Sequence, residues 1–114
     1  MEISKVKKVT VAGAGTMGTL IAQTFASHGY TVALWNRSES GLERGRSIIA
    51  ENLEAVPPEE RDAAASRLTM PTDPDCFRDA DFVLESIAED MDVKHAFYRQ
   101  IEPLLKGTCL VATN

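Results

Sequence analysis

The apolar residues of this chain alternate between short, β-branched runs and longer segments with helical spacing. The short runs predict strands at Lys8–Ala12, Thr31–Asn36, Arg67–Met70, Phe82–Ser86 and Cys109–Thr113. Because helical segments separate these runs, the chain has the pattern of βαβ units and of a parallel sheet. We therefore expect an α/β fold with three layers, in which a doubly wound parallel sheet of about five strands has the order 3-2-1-4-5.

The first helix is predicted from about Thr16 to His28, with Gly29 as its stop signal. One face of this helix carries most of its large apolar side chains, and we expect that face to pack on the sheet. It consists of Met17, Leu20, Ile21, Thr24 and Phe25.

Three further helical segments follow. The second helix begins at Ser38 or Ser40, and Ser40 and Glu43 have the spacing of a capping box. Pro58 marks the first turn of a short extra helix before the third strand. A last helix follows the fourth strand, and Pro103 kinks or ends it.

Composition limits the class of protein. A chain of 114 residues fits one domain, residues 1–114, and no apolar run approaches the ~20 residues that span a bilayer. The net charge of −5 argues against nucleic-acid binding. The beginning of the chain lacks the apolar segment of a signal peptide, and the two cysteines have neither a disulfide pattern nor a metal-binding pattern. We expect a cytoplasmic protein without a metal site and without a membrane partner.

Three glycines follow the first strand in the pattern Gly-x-Gly-x-x-Gly, and a helix follows them. Gly13 permits a tight turn, Gly15 lets a pyrophosphate approach the backbone, and Gly18 lets the helix lie close to the sheet. The helix N-terminus then offers free N–H groups to phosphates. This strand, turn and helix predict a dinucleotide site of the Rossmann type, formed by Gly13, Ala14, Gly15, Thr16, Met17 and Gly18.

The second strand ends at Asn36, where an acidic residue normally binds the adenine ribose. Asparagine can bond the ribose hydroxyls without repelling a 2′-phosphate, and Arg37 could pair with that phosphate. Arg37 is equally consistent with a solvated residue beside a helix start. The cofactor is therefore NAD or NADP.

Two long stretches carry a family resemblance. With "VTVAGAGTMGTLIAQTFASHGYTVALWNRS" and "ADFVLESIAEDMDVKHAFYRQIEPLLKGTCLVATN", the chain resembles the NAD-binding domain of the 3-hydroxyacyl-CoA dehydrogenase family over nearly its whole length. The pattern E-S-I-x-E-D-x-x-x-K and the "ATN" at the end are its most specific parts. The resemblance implies hydride transfer between a 3-hydroxyacyl-CoA and NAD(P), with an acyl-CoA as substrate.

The resemblance also assigns residues to the nicotinamide side of the site. Ser86, Ala88, Glu89 and Lys94 match the segment that lines it, and Asn114 matches the asparagine at the end of the fifth strand. A plain surface ion pair between Glu89 and Lys94 is the alternative.

The chain departs from the family in two respects. Asn36 replaces the usual aspartate, which leaves the preference for NAD open. The family's catalytic histidine and glutamate and its helical substrate and dimerisation domain are not in these 114 residues, so we expect no catalytic residue here and binding without turnover. We expect His28 to cap the first helix and His95 to face solvent.

Several readings stay open. Arg61 and Arg67 either touch a CoA phosphate or lie on a solvated helix face. An NADP-dependent β-hydroxyacid dehydrogenase or a ketopantoate-type reductase shares the glycine pattern, and a non-catalytic nucleotide-binding module would need no substrate domain. Homo-oligomerisation is also left open.

Overall fold

A computed structural model of the chain describes residues 6–87 and 90–113. Its strands are β1 (Lys8–Ala12), β2 (Thr31–Trp35), β3 (Leu68–Thr69), β4 (Phe82–Glu85) and β5 (Leu110–Thr113). Its α-helices are α1 (Thr16–Ser27), α2 (Glu39–Leu53), α3 (Pro58–Arg67) and α4 (Met91–Ile101). Two short 3-10 segments, Pro74–Phe77 and Glu102–Leu104, precede β4 and follow α4.

All strand pairs are parallel, and the order in the sheet is β3-β2-β1-β4-β5. The predicted α/β class and strand order are thus confirmed. The first β-α-β crossover brings Ala12 beside Trp35, and the next strand along the sheet brings Glu85 beside Ala12. The carboxyl ends of β1, β2 and β4 therefore meet at one edge.

The core is divided between the two faces of the sheet. Against α1 and α2, the buried residues are aliphatic and include Val9, Val11, Leu34 and Leu42. Against α4, the core is aromatic and contains Trp35, Phe77 and Phe97 with Ile101. Apolar side chains on both faces are what a parallel sheet covered by helices requires.

The prediction of which face of α1 packs on the sheet was right for Ile21 and Phe25 and wrong for Met17, Leu20 and Thr24, which are exposed. Its buried residues are small: Gly18, Thr19, Ala22 and Ala26. Met17 is 57% exposed and Leu20 is 39% exposed, while Ile21 and Phe25 are half-buried at the edge of the core. Small side chains let the helix approach the sheet closely. This close approach determines which face of α1 is buried, and the large apolar side chains are left at the edge or on the surface.

The predicted capping box was also wrong. Ser38 is the N-cap of α2, and its side chain makes no capping hydrogen bond. The hydroxyl of Ser40 bonds that of Ser38 instead of a backbone N–H. Pro58 does begin α3, and α4 ends two residues before Pro103, as expected.

Arg61 and Arg67 are half-buried and donate to carbonyls at helix ends, so the prediction of a solvated helix face was wrong, while contact with a CoA phosphate stays a prediction. The Arg61 guanidinium donates to the carbonyls of Leu53, Glu54 and Val56 at the end of α2. Arg67 donates to the carbonyl of Ala26 at the end of α1. Since the last carbonyls of a helix have no partner within it, both arginines stabilise the fold.

Within residues 6–87 and 90–113, no helix is both long enough and apolar enough to cross a membrane.

Candidate functional site

The turn after β1 is shaped by Gly13. Its φ is +109°, a backbone angle that residues with a Cβ rarely adopt. A Cβ there would lie 2.3 Å from the carbonyl oxygen of Ser86. The Gly13 N–H donates to the carbonyl of Trp35, and the Ser86 N–H donates to the carbonyl of Ala12. The turn is therefore held between the ends of β2 and β4.

Gly18 and Gly15 meet opposite surroundings. A Cβ on Gly18 would lie 2.1 Å from the carbonyl oxygen of Gly13, so only glycine lets α1 start this close to the turn. A Cβ on Gly15 would have no heavy atom of the described residues within 4 Å. The backbone at Gly15 is thus open to an approaching group, beside the N-terminus of α1.

A cavity of about 810 Å³ lies over this turn. Its lining comes from the ends of β1, β2 and β4 and from α4: Gly13, Ala14, Gly15, Thr16, Met17, Trp35, Asn36, Arg37, Ser86, Ile87, Asp92, Val93, Ala96, Phe97 and Gln100. Eight of the predicted site residues thus line one cavity: Gly13, Ala14, Gly15, Thr16, Met17, Asn36, Arg37 and Ser86. Gly18 lies buried beneath it.

Asn36 ties the glycine turn to the start of α2. Its Oδ1 accepts from the Ala14 N–H at 3.3 Å, and its Nδ2 donates to the carbonyl and the hydroxyl of Ser38 at 3.1 and 3.2 Å. A Cβ on Gly41 would lie 2.3 Å from this Nδ2, so Gly41 lets α2 pack against the amide. Next to it, Arg37 is exposed, and within the described ranges it makes no ion pair.

Glu85, at the end of β4, is a buried carboxylate that the sequence analysis missed. Its side chain has no exposed surface, and it accepts hydrogen bonds from the Thr113 hydroxyl and from the Ile87 N–H, both at 2.7 Å. The Lys94 ammonium lies 3.5 Å from Oε1, as does the Tyr98 hydroxyl. A carboxylate directly after three apolar strand residues was the signal for this cluster.

The Glu85 carboxylate is charged in spite of its burial. Burial alone would raise the pKa of Glu85, but the hydrogen bonds from Thr113 and Ile87 and the charge of Lys94 outweigh it and hold that pKa below its ordinary value. Burial and the Glu85 charge both raise the pKa of the Tyr98 phenol. Glu85 and Lys94 therefore form a charged pair under the rim of the cavity.

The other predicted residues are distributed as follows. Lys94 does not line the cavity and is directed to Glu85. Ala88, Glu89 and Asn114 lie outside the described residues. His28 is the C-cap of α1, where its Nδ1 lies 2.8 Å from the Thr24 carbonyl oxygen, and His95 is exposed on α4; both were predicted so.

In the part of the chain that the structure describes, there is little support for a nucleophilic thiol, a metal site or a second binding cavity. Burial raises the pKa of the Cys76 thiol to about 12, so this thiol is no nucleophile at neutral pH. Across the same residues, no three His, Cys, Asp or Glu side chains are placed to share a metal ion. A second, apolar groove of about 590 Å³ runs beside Leu20, Phe25 and Tyr30, and its lining includes no residue from the carboxyl ends of the described strands.

The geometry of the cavity fits a dinucleotide. Gly13 and Gly18 close the turn, Gly15 leaves the backbone open, and the first residues of α1 border the cavity, so N–H groups can meet phosphates there. The cavity lies at the carboxyl edge where the strand order reverses, which is where open α/β sheets bind their ligands.

Comparison with known proteins agrees with this geometry. Residues 8–114 match the family described as "3-hydroxyacyl-CoA dehydrogenase, NAD binding domain". A probable 3-hydroxyacyl-CoA dehydrogenase of Caenorhabditis elegans is 35% identical over 99% of this chain and 40% of its own length. The 3-hydroxybutyryl-CoA dehydrogenase of Clostridioides difficile is 30% identical over 94% of this chain and 40% of its own length.

Solved structures show the same relationship. The (S)-3-hydroxybutyryl-CoA dehydrogenase of Ralstonia eutropha superposes with a TM-score of 0.91 at 27% identity, over 96% of this chain and 41% of that one. The 3-hydroxybutyryl-CoA dehydrogenase of Escherichia coli K12 gives a TM-score of 0.91 at 33% identity, over 96% and 25%. The chain thus spans less than half the length of these relatives. It belongs to the 3-hydroxyacyl-CoA dehydrogenase family of oxidoreductases, as an NAD-binding domain of that family.

Proposed function

We propose that the chain is the cofactor-binding part of an enzyme that transfers a hydride between a 3-hydroxyacyl-CoA and NAD. The observation that carries this proposal is the cavity over the glycine turn, in a domain that matches the family from residue 8 to residue 114. When bound, the nicotinamide supplies the hydride chemistry, while the protein supplies binding and orientation.

Different residues around the cavity would bind different parts of the dinucleotide. The backbone from Gly13 to Gly18 would hold the pyrophosphate, and Asn36 would bond the adenine ribose. Ser86 borders the cavity where β4 ends, which supports its place on the nicotinamide side. For Ala88, Glu89 and Asn114 the support is the sequence motif alone.

Lys94 would act on the cofactor indirectly, through the position of α4. Its ammonium is 17% exposed and is paired with the buried carboxylate of Glu85. This pair holds the start of α4 to the end of β4, and Val93 and Ala96 of α4 line the cavity. We therefore assign Lys94 the role of fixing the nicotinamide wall of the site.

The base for the substrate hydroxyl would come from outside residues 1–114. Oxidation of a secondary alcohol needs a group that accepts the hydroxyl proton, most often a histidine. No histidine is among the described lining residues, and Asp92 is the one carboxylate there. Hence we propose that residues 1–114 form the binding domain and that a further domain supplies the acyl-CoA site, since the relatives are more than twice as long.

Titration of the purified chain with NADH tests the binding half of the proposal. Trp35 lines the cavity, so its fluorescence should fall on binding, and calorimetry gives the dissociation constant independently. The chain should bind NADH and should not oxidise it with a 3-oxoacyl-CoA. Absence of binding in a chain that circular dichroism shows to be folded, or turnover by the chain alone, would overturn the proposal.

A chimera tests whether the chain can serve as the cofactor-binding domain of a 3-hydroxyacyl-CoA dehydrogenase. The chain is joined to the remainder of the Clostridioides difficile 3-hydroxybutyryl-CoA dehydrogenase in place of that enzyme's own matching segment. NADH oxidation by a short 3-oxoacyl-CoA should then appear, and it should be lost in the same chimera with Gly15→Val. A folded chimera that binds NADH but reduces no 3-oxoacyl-CoA would refute the proposal that the chain presents its cofactor to an acyl-CoA site of this family.

We infer a cytoplasmic location, because both cysteines are free thiols, as a reducing compartment maintains them. Fractionation of cells that express the protein from its own promoter, followed by immunoblotting, tests it. Recovery with peroxisomes would argue against it; one relative from rice is described as a peroxisomal fatty acid beta-oxidation multifunctional protein.

A further inference from the structure

We propose that the adenosine end of this site accepts a phosphate on the 2′-oxygen of the ribose, so that the domain binds NADP(H) as well as NAD(H). This inference rests on the proposed seating of the dinucleotide over the glycine turn. It goes further by assigning a second cofactor class to the residues that follow β2.

The first support is the hydrogen bonding of Asn36, which requires an amide rather than a carboxylate at this position. Its Nδ2 donates to the Ser38 carbonyl oxygen at 3.1 Å and to the Ser38 hydroxyl at 3.2 Å. A carboxylate in the same place would set one of its oxygens against that carbonyl oxygen, which is repulsive. The loop from Asn36 to Ser38 is thus built around a neutral side chain, and the negative charge that normally excludes a 2′-phosphate is missing.

The second support is the charge of Arg37. Its side chain is exposed and lines the cavity together with Asn36, and within the described residues no carboxylate pairs with it. In this class of fold an arginine at this place accommodates the 2′-phosphate of NADP. A guanidinium can bind a phosphate with two parallel hydrogen bonds, and one without a competing carboxylate is available to do so.

The third support is the polar surface around Arg37. The hydroxyls of Ser38 and Ser40 lie 3.4 Å apart, and both residues are exposed beside the same loop. The nearest carboxylate along the chain, Glu39, is bonded to Arg46 at 2.6 Å, so its charge is compensated. Asp92 is the one carboxylate among the described lining residues, and it belongs to α4, beyond β4.

A pair of small probes isolates the 2′-phosphate. Adenosine 2′,5′-bisphosphate and adenosine 5′-monophosphate differ by that group alone, and both lack the nicotinamide. Calorimetry on the purified chain should show the bisphosphate binding about tenfold more tightly than the monophosphate, and NADPH binding at least as tightly as NADH. The preference for the bisphosphate should shrink as the salt concentration rises, because it is electrostatic.

Variants assign the preference to residues. Arg37→Ala should reduce binding of the bisphosphate and of NADPH about tenfold and change NADH binding less than twofold. Arg44→Ala is the matched control, since it removes the same charge from an exposed position of α2 that does not line the cavity. Asn36→Asp should weaken NADPH binding while NADH binding persists. The Arg37 result stands even if this variant proves unstable.

The outcomes separate this inference from the proposed function. If NADH binds but the two adenosine probes bind equally, or if NADPH binds tenfold more weakly than NADH, the inference is refuted and the proposed function stands. If Arg37→Ala and Arg44→Ala lower NADPH binding equally, the effect is one of net charge and the assignment to Arg37 fails. If neither dinucleotide binds the folded chain, both proposals fail.

Discussion

The ammonium of Lys94 lies 3.5 Å from the carboxylate of Glu85, and the two side chains are 17% and 0% exposed. This pair joins the first half of α4 to the last residue of β4. Because Glu85 also accepts from Thr113 on β5, one carboxylate connects three elements at the edge where the cavity opens. The wall of the cavity that α4 forms is therefore held by a charge that does not itself face the cavity.

Replacing Lys94 with methionine should destabilise the domain by about 2 kcal/mol. Removal of one partner leaves a buried carboxylate without its counter-charge, and Lys94 is partly solvated, so the loss should fall below the ~3–5 kcal/mol of a fully buried pair. The pKa of Glu85 should rise in this variant. Urea unfolding at pH 7 gives the free energy of unfolding of both proteins.

The double-mutant cycle with Glu85→Gln provides the control. In Lys94→Met combined with Glu85→Gln, no charge is left uncompensated, so the combined loss should be smaller than the sum of the two single losses. Additive losses would show that the two side chains do not interact in solution.

Strand positions and the glycine turn were predictable because they depend on local chemistry. The β-branched runs fixed β1 and β2 to within a residue, and the spacing of Gly13 and Gly18 predicted a turn between a strand and a helix. The parallel order followed because crossovers of this length permit few topologies. Apart from the strand order, these features need only the sequence within a few residues of each position.

Features that depend on distant contacts were not predictable. The buried face of α1 follows from how closely the helix approaches the sheet, which the sequence shows only as a row of small residues such as Gly18 and Ala22. Arg67 reaches the Ala26 carbonyl 41 positions earlier, and Thr113 meets Glu85 across 28 positions. Such contacts arise from the packing of whole elements.

Acid should weaken the junction of β1 and β4 through Asp81. Its carboxylate accepts from the N–H groups of Lys7 and Lys8 at 2.9 and 3.0 Å, and it is bonded to the ammonium of Lys106. The hydrogen bond from Lys106 and those two N–H groups lower the pKa of Asp81 to about 2. Since the pKa is depressed in the folded state, this stabilisation is present above about pH 4 and is lost as the pH falls towards about 2.

Asp81→Asn should therefore cost about 1 to 2 kcal/mol at pH 7, a value reduced for solvent screening, and much less at pH 2. Urea unfolding at both pH values measures the difference. Asp79→Asn is the matched control: Asp79 pairs with Lys8 at 2.5 Å, but its side chain is 66% exposed, so its loss should stay within about 0.5 kcal/mol. An equal loss at both pH values for Asp81→Asn would mean that its charge contributes nothing.

Arg61→Ala should lower the free energy of unfolding by about 1 to 2 kcal/mol, because the carbonyls of Leu53, Glu54 and Val56, at and just after the end of α2, lose the hydrogen bonds from its guanidinium. NADH binding should be unchanged, as Arg61 does not line the cavity. Thermal unfolding and calorimetry measure the two effects. Arg44→Ala, which removes an arginine from an exposed position of α2, should change neither. Weaker NADH binding in Arg61→Ala with unchanged stability would contradict the structural role.

The two ends of the glycine turn should separate stability from binding. Gly18→Ala forces a Cβ to within 2.1 Å of the Gly13 carbonyl oxygen, so α1 must move, and the cost should be about 2 to 3 kcal/mol. Gly15→Ala places its Cβ in open space, so the fold should keep its stability while the methyl group obstructs the phosphate approach and weakens NADH binding about tenfold or more.

Gly107→Ala, also in open space but far along the chain, should alter neither property. Urea unfolding and NADH calorimetry on the three variants make the comparison. Unchanged NADH binding in Gly15→Ala would mean that the pyrophosphate binds elsewhere, because a methyl group at this position must interfere with a phosphate that lies against the Gly15 backbone.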